Sequence, residues 1–436
     1  MSERGQRSPL PPSVQRPSNA EILDWCDRAF EARPELAHER SLVFHDLGLQ
    51  HRRFEELKQS FPSTALHAVA IKANPIVEVL RRLVDQGAGL EAASIEEVHI
   101  ALAAGCPPQR IVFDSPAKTF EELQFAFNRG LTVNIDNAHE LATAARIERH
   151  PDARIGLRVN PAQGVGSIEA TSVAGPESRF GFDIAELVEH VLPNLPAETE
   201  IDGIHVHVGS QGCSLDQLVD AVVIANDLLP TLRSSGTGRD PFVDIGGGLS
   251  TDYGDDPTAP SFVDYAERLR TAVPGLWRDG RLITEFGRAL LAGCGVAVSL
   301  VEYVKHLPSG RRVAVIHLGA DFLLRAAYAP ANWPYRFSKV GDLDGESRTD
   351  CDVAGPLCFA GDVIGRSVPL PSLAPGDRLA VHDVGAYSLS MWSRHCSRGM
   401  PVVVGVEPDG GFPILLNAER PEDLAAFWSR SGSTTS

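Results

Sequence analysis

Positive charge is what this 436-residue sequence lacks most: 40 Lys and Arg stand against 57 Asp and Glu, a formal balance of −17. Nucleic acids and anionic bilayers are bound through basic faces, so neither is expected as the main partner. No apolar run is long enough to span a bilayer, and the opening MSERGQRSPLPPSVQRPSNA has no apolar centre of the kind a signal peptide needs. The expectation is a cytoplasmic protein. Seven cysteines, at positions 26, 106, 213, 294, 351, 358 and 396, follow no metal-binding spacing, and an odd count makes a poor disulfide framework. Each is expected as a reduced, small hydrophobe. No repeat of about 20–50 residues is visible beyond an α/β rhythm.

What is present is the composition of a soluble globular chain, 43% hydrophobic and 22% charged, long enough for two domains. Both ends, rich in Ser, Pro and Arg or reading SRSGSTTS, are expected to be mobile. From residue 41 short β-rich runs alternate with amphipathic helical patterns, several of which stop at a glycine. The strands read are SLVFHDL, LHAVAIKA, GLEAAS, IVFDS, LTVNID, RIGLRVN, GIHVHVG, FVDIGGG and RLITEFG. That rhythm predicts an α/β barrel of the TIM type over 48–305. After about 305 strands separated by Pro/Gly turns predict a mostly antiparallel β domain over 306–428, joined by the early strand 41–47. Residues 1–40 then form a tail and lead-in helix, and 429–436 a flexible tail.

Barrels bind substrates at the C-terminal ends of their strands, so polar residues there come first. In AIKANP, Lys72 ends an apolar run; read alone, it is equally a rim lysine snorkelling to solvent or a nucleophile of Schiff-base chemistry. GIHVHVGSQG sets His205 and His207 on one face of a strand, as metal ligands, as a flat ring for a heterocycle to lie on, or as core histidines. In VDIGGGLS, Gly246, Gly247 and Gly248 make either a phosphate-binding turn or a tight turn without a ligand. LITEFGRALLAG brings Glu285, Gly287 and Arg288 to a strand end, as a cofactor partner or as a rim ion pair. CDVAGPLCFAGD holds Cys358 and Asp362, and HDVGAYSLSMW holds Tyr387, in loops of the β domain.

Taken in order, AIKANP, EAASIEEV, LRVNP, SRFGF, HVHVGSQ, DIGGG, EFGR, GPLCFAGD and GAYSLSM resemble the fold-type III pyridoxal-5'-phosphate decarboxylases, specifically the diaminopimelate/ornithine decarboxylase family, from about residue 41 to 420. The resemblance implies that Lys72 anchors pyridoxal 5'-phosphate covalently and that His207 stacks on its ring. It implies that Ser210, Gly246–Gly248, Gly287 and Arg288 surround the phosphate, that Glu285 faces the ring nitrogen, and that Glu91, Arg158 and Tyr387 complete the cofactor site. It implies catalytic roles for Lys72, His207 and Cys358, the cysteine entering across a homodimer interface to protonate the carbanion. Substrate contacts fall to Arg325, Tyr328, Phe359, Asp362 and Tyr387. No metal is implied.

The departures lie at the substrate end. The usual Glu-Pro-Gly-Arg reads Glu285-Phe286-Gly287-Arg288, which keeps both charges. Where relatives carry an acid after the cysteine for the substrate's distal amino group, this chain has Phe359, beside which a buried ammonium would lack a partner. The segment LLRAAYAPANWPYRF replaces an Arg-Pro-x-Leu-Tyr pattern; Arg325 or Arg336 is a candidate for an anionic distal group, or both face solvent. The expectation is a decarboxylase for an amino acid with a bulky, apolar or acidic distal end, of the specialised-metabolite or siderophore type. The alternatives are a meso-diaminopimelate decarboxylase of lysine biosynthesis, an amino-acid racemase, and a non-catalytic regulatory homologue. Asn-Pro after the lysine, in place of the racemases' Asn-Ala-Tyr-Gly, argues against the racemase.

Overall fold

Eight short strands, each buried along its length, follow one another at the spacing of strand–helix units. In the computed structural model, which describes residues 16–195, 199–233, 241–254, 259–278, 281–342 and 347–429, they close into a barrel. The ends expected to be mobile, 1–15 and 430–436, lie outside the described residues. After β1 (Ser41–Asp46) come the barrel strands β2 (Leu66–Ala70), β3 (Gly89–Ala92), β4 (Ile111–Phe113), β5 (Thr132–Ile135) and β6 (Arg154–Asn160). A two-residue strand, β7 (Phe182–Asp183), flanks β6, and β8 (Gly203–His205), β9 (Phe242–Asp244) and β10 (Arg281–Thr284) complete the ring. All pairings are parallel, in the order β5-β4-β3-β2-β10-β9-β8-β6, and β5 pairs with β6 to close it.

The helices between strands start where a short polar side chain can take up the first free amides. Ser94, Thr119 and Asn137 cap Ile95–Ala103, Phe120–Asn128 and Ala138–Ala144, each accepting from the backbone N–H three residues on. Two of the connections leave through glycines in the left-handed region, Gly105 (φ 82°) and Gly130 (φ 79°). One apolar cluster runs from the barrel helices through the strands into the β domain.

The second sheet is built from β11 (Gly295–His306), β12 (Arg312–Ile316), β13 (Phe337–Lys339), β14 (Thr349–Ala354), β15 (Val363–Leu370), β16 (Arg378–His382), β17 (Val402–Val406) and β18 (Ile414–Leu416), together with β1. It is mostly antiparallel, and among the described residues the parallel pairs are β1–β17 and β12–β14. β1 lies between β11 and β17, so a strand that precedes the barrel in sequence ties the two bodies together. Because β11 belongs wholly to this sheet, the last element of the barrel ends at Cys294, ahead of residue 305.

The seam between the bodies falls at the C-terminal ends of the barrel strands. Asn74 donates from Nδ2 to the Gly385 carbonyl (3.0 Å), and the Tyr387 amide donates to the Ala73 carbonyl (2.8 Å). Gly385 approaches so closely that a Cβ there would lie 2.0 Å from the Leu291 carbonyl oxygen. Tyr387 holds φ 57°, a conformation that costs a non-glycine residue about 1 kcal/mol or more and that clusters at functional sites.

Candidate active site

Lys72 stands on a short 3-10 turn, Ile71–Ala73, directly after β2. Its two neighbours are buried, while its own side chain keeps 35% exposure and donates to Glu91 Oε2. Glu91 lies opposite Ala70 in the β2–β3 register, which delivers the carboxylate to the lysine. Burial opposes charge on Lys72, but Glu91 and Glu285 outweigh it and raise its pKa, so in the free chain the amine is an ammonium. Burial pushes Glu91 up to about 8 against the pull of Lys72.

Glu285 follows β10 and is 4% exposed, with Oε1 buried and without a hydrogen-bond partner. Its other oxygen lies 3.5 Å from His205 Nε2. On the far side of that ring, Nδ1 lies 3.7 Å from Asp114 Oδ1, and Asp114 Oδ2 accepts from Arg158 Nη1 at 3.2 Å. Burial works against ionised Glu285, yet His205 holds its pKa below the usual carboxylate value. Asp244, beside it, is driven the other way, well above the usual range, by burial and by the charge of Glu285.

His207 is held at a different angle. Its Nδ1 accepts from the Gly247 amide (3.2 Å), which leaves the proton of the neutral ring on Nε2. Burial, then Lys72 and Arg158, push its pKa down to about 3, so the ring is a flat, uncharged surface at neutral pH. Gly246, at φ 62°, needs to be glycine twice over, since a Cβ there would also sit 2.6 Å from the Val206 carbonyl oxygen.

Arg288, 4% exposed, donates from Nε to Ser210 Oγ (3.1 Å) and from Nη1 to the Tyr253 hydroxyl (2.6 Å). Its guanidinium lies 4.2 Å from the Tyr387 ring centroid and 4.9 Å from that of Trp333. Arg325 shares those two rings, at 5.1 and 4.8 Å, and its Nη1 is buried without a partner. Among the described residues neither guanidinium has a carboxylate partner, which leaves both cations open to an anion. Arg325 also lines a cleft of about 490 Å³ with Ile168, Thr171, Leu324, Tyr328 and Trp333.

Three of the expected site residues are engaged within the protein. Asp362 is 4% exposed, its Oδ1 accepts from the Ala320 amide (2.6 Å) and its Oδ2 from the Leu357 amide (2.7 Å), which shapes the loop that carries Cys358. Arg336 is bound to Asp383 at 3.1 Å, so of the two arginine candidates only Arg325 is free to meet an anion. Arg158 lies against Asp114 and, at 3.9 Å, Asp136, one layer behind Glu285, so its charge is used within the protein. Cys358 is exposed and makes none of the contacts of this cluster. Phe359 stacks on Tyr328 with centroids 5.6 Å apart and planes at 20°, so an aromatic pair stands where an acid was the pattern.

Asp114, Asp244, Tyr253 and Trp333 complete the site without having been assigned roles from the sequence. The signal for the first two was there, since each is a lone acid at or just past the end of an apolar barrel strand, IVFD and FVD. Tyr253 lies in a loop, where nothing local marks it.

The family model described as pyridoxal-dependent decarboxylase, pyridoxal binding domain, matches residues 47–292. A diaminopimelate decarboxylase of Helicobacter pylori strain J99 is 30% identical over 383 residues, 85% of this chain and 93% of the relative. One from Pseudomonas fluorescens is 33% identical over 374 residues, 84% of this chain and 86% of the relative. Among solved structures, the diaminopimelate decarboxylase from Helicobacter pylori complexed with L-lysine superposes with a TM-score of 0.81 at 27% identity, covering 91% of this chain and 99% of that one.

Proposed function

The chain belongs to the pyridoxal-dependent decarboxylase family, a PLP-dependent enzyme that removes CO2 from an amino acid, and on that premise we propose that its substrate carries a second carboxylate at the distal end, with meso-diaminopimelate the leading candidate. The observation that carries this is Arg325, a guanidinium with a buried, unpartnered nitrogen beside Tyr387 and Arg288. The names of the relatives support the particular substrate.

The residues present fit the cofactor. Glu285 offers a buried oxygen without a partner, which suits a ring N–H; Lys72 offers an amine that still reaches solvent; Ser210, the Gly246–Gly248 turn and Arg288 offer donors for a phosphate. When bound, pyridoxal phosphate supplies the sink for the electron pair left as the α-carboxylate departs. Lys72 anchors it, and Glu91 orients that lysine. Glu285, held anionic, keeps the ring nitrogen protonated. Neutral His207 covers a face without competing for the proton. Arg325 fixes the distal carboxylate, and Tyr387 presents its ring to both guanidiniums. A second copy of the chain supplies Cys358, which is exposed in one copy, as the proton donor to the α-carbon.

The stacked Tyr328–Phe359 pair favours a second reading. An aromatic wall cannot pair an ammonium, so the distal end is then acidic without an amino group, as in an amino acid acylated by a polycarboxylic acid. Both readings share the distal anion. The test is CO2 release by the PLP-loaded enzyme from meso-diaminopimelate, from such acylated amino acids, and from lysine and ornithine, which lack a distal carboxylate. Turnover of diaminopimelate supports the first reading; turnover of the acylated acids alone supports the second; preference for lysine or ornithine contradicts both.

A further inference from the structure

Arg158, His205 and Asp244 sit in one register row across β6, β8 and β9, a row that lies behind Glu285 at the barrel's C-terminal end. His205 is fully buried and each of its ring nitrogens faces a different carboxylate: Nε2 faces Glu285 at 3.5 Å, and Nδ1 faces Asp114 at 3.7 Å. A neutral imidazole has one donor and one lone pair, and would turn that lone pair on an acid. At these distances neither nitrogen is hydrogen-bonded, and only the doubly protonated ring is drawn to ionised carboxylates on both sides.

We propose that His205 is a positioning residue, an imidazolium at neutral pH that acts through Glu285, holding that carboxylate ionised and aimed so that the cofactor's ring nitrogen keeps its proton. The inference rests on the reading that Glu285 meets that nitrogen.

The charges around the ring make the cation necessary. Asp114, Glu285 and Asp244 face it from β4, β10 and β9, and Lys72, Arg158 and His207 lie on the same end of the barrel. Lys72 is paired with Glu91 and, once it anchors the cofactor, is no longer a free ammonium beside Glu285. Arg158 is drawn to Asp114 and Asp136. That leaves His205 as the cation directly on Glu285. Asp114 first and then Glu285, the two acids held ionised, outweigh burial and raise its pKa to about 9, which agrees with the geometry. Asp114, drawn on by Arg158 and buried, faces the far nitrogen at 3.7 Å.

Asp114, His205 and Glu285 also place donor atoms within 4.8 Å of one another, a set that a metal ion uses elsewhere. An ion between the acids would take one imidazole nitrogen only, whereas here both nitrogens are turned on carboxylates. Metal content of the purified enzyme decides this point.

The test compares wild type, His205→Gln and Glu285→Gln as PLP-loaded enzymes, with the cofactor labelled with ¹⁵N in its ring. Glu285→Gln is expected to move the ring-nitrogen resonance toward its unprotonated position; if it does not, the reading of Glu285 fails first. His205→Gln is expected to move it the same way, with cofactor still retained and kcat lowered about 10- to 100-fold at little change in KM, the range typical of outer-shell partners. If Glu285→Gln shifts the resonance and His205→Gln leaves it and kcat unchanged, the proposal is overturned. Asp114→Asn guards against a His205 variant that does not fold: it leaves the imidazole but removes one of its acids, so His205 loses its proton at lower pH and the basic limb of the kcat profile moves down. An unmoved limb, or a stoichiometric divalent metal lost with His205→Gln, overturns the proposal as well.

Discussion

Arg325→Ala removes the one guanidinium nitrogen in the site that is buried and unpaired. Its cation–π contacts with Trp333 and Tyr387 exist in the free protein and do not enter the binding difference. What is lost is a charge-assisted hydrogen bond to the substrate's distal carboxylate, about 1.5–3 kcal/mol. At about 1.4 kcal/mol per factor of ten, kcat/KM for meso-diaminopimelate falls about 10- to 150-fold. The contact is the same before and during reaction, so the loss is expected in KM, with kcat changed little. The assay is the initial rate of CO2 release against concentration, run beside an amino acid without a distal carboxylate. Arg325→Lys is expected to recover part of the loss, since it keeps a charge but not the planar stack between two rings. An equal loss on both substrates, or no change in KM for the dicarboxylate, refutes the reasoning.

Two further outcomes follow from buried groups. Asp362→Ala removes two backbone anchors of the loop around Cys358, so urea unfolding is expected to show a stability loss of about 2–4 kcal/mol with KM unchanged; a raised KM at full stability would return Asp362 to the substrate site. His45 is buried, its Nε2 2.6 Å from Gln50 Oε1, and burial pushes its pKa down to about 4. Below about pH 6.5 the unfolded chain takes up this proton and the folded one does not, so stability drops as the pH falls from 6.5 toward 4 and is unaffected above that window. His45→Gln is expected to flatten the slope of stability against pH by at most about 1.4 kcal/mol per unit, and an unchanged slope between pH 5 and 6.5 would count against a neutral buried His45.

The barrel was legible because its signal is local: apolar runs of strand length, capped helices and glycine stops recur in order, and all eight strands read from the sequence pair in the ring. Lys72, Glu285 and the glycine turn were legible for the same reason, each standing at the end of such a run. The partners of His205 were not, because Asp114, Asp244 and Glu285 come from three different strands and meet only when the barrel closes. The backbone contacts of Asp362 were hidden because an acid in a Gly/Pro loop beside a cysteine reads alike whether it faces a ligand or ties its own backbone. Arg336 is set apart from Arg325 by Asp383, which comes 47 residues later in the sequence.

The covalent anchor is the claim on which the rest depends. Borohydride reduction of the PLP-loaded enzyme, followed by proteolysis and mass spectrometry, locates the lysine that carries the cofactor. The label is expected on Lys72, in the peptide containing Ala-Ile-Lys-Ala-Asn-Pro, with no label on the Lys72→Ala variant. Label on another lysine, such as the buried Lys118 paired with Glu140, would contradict it.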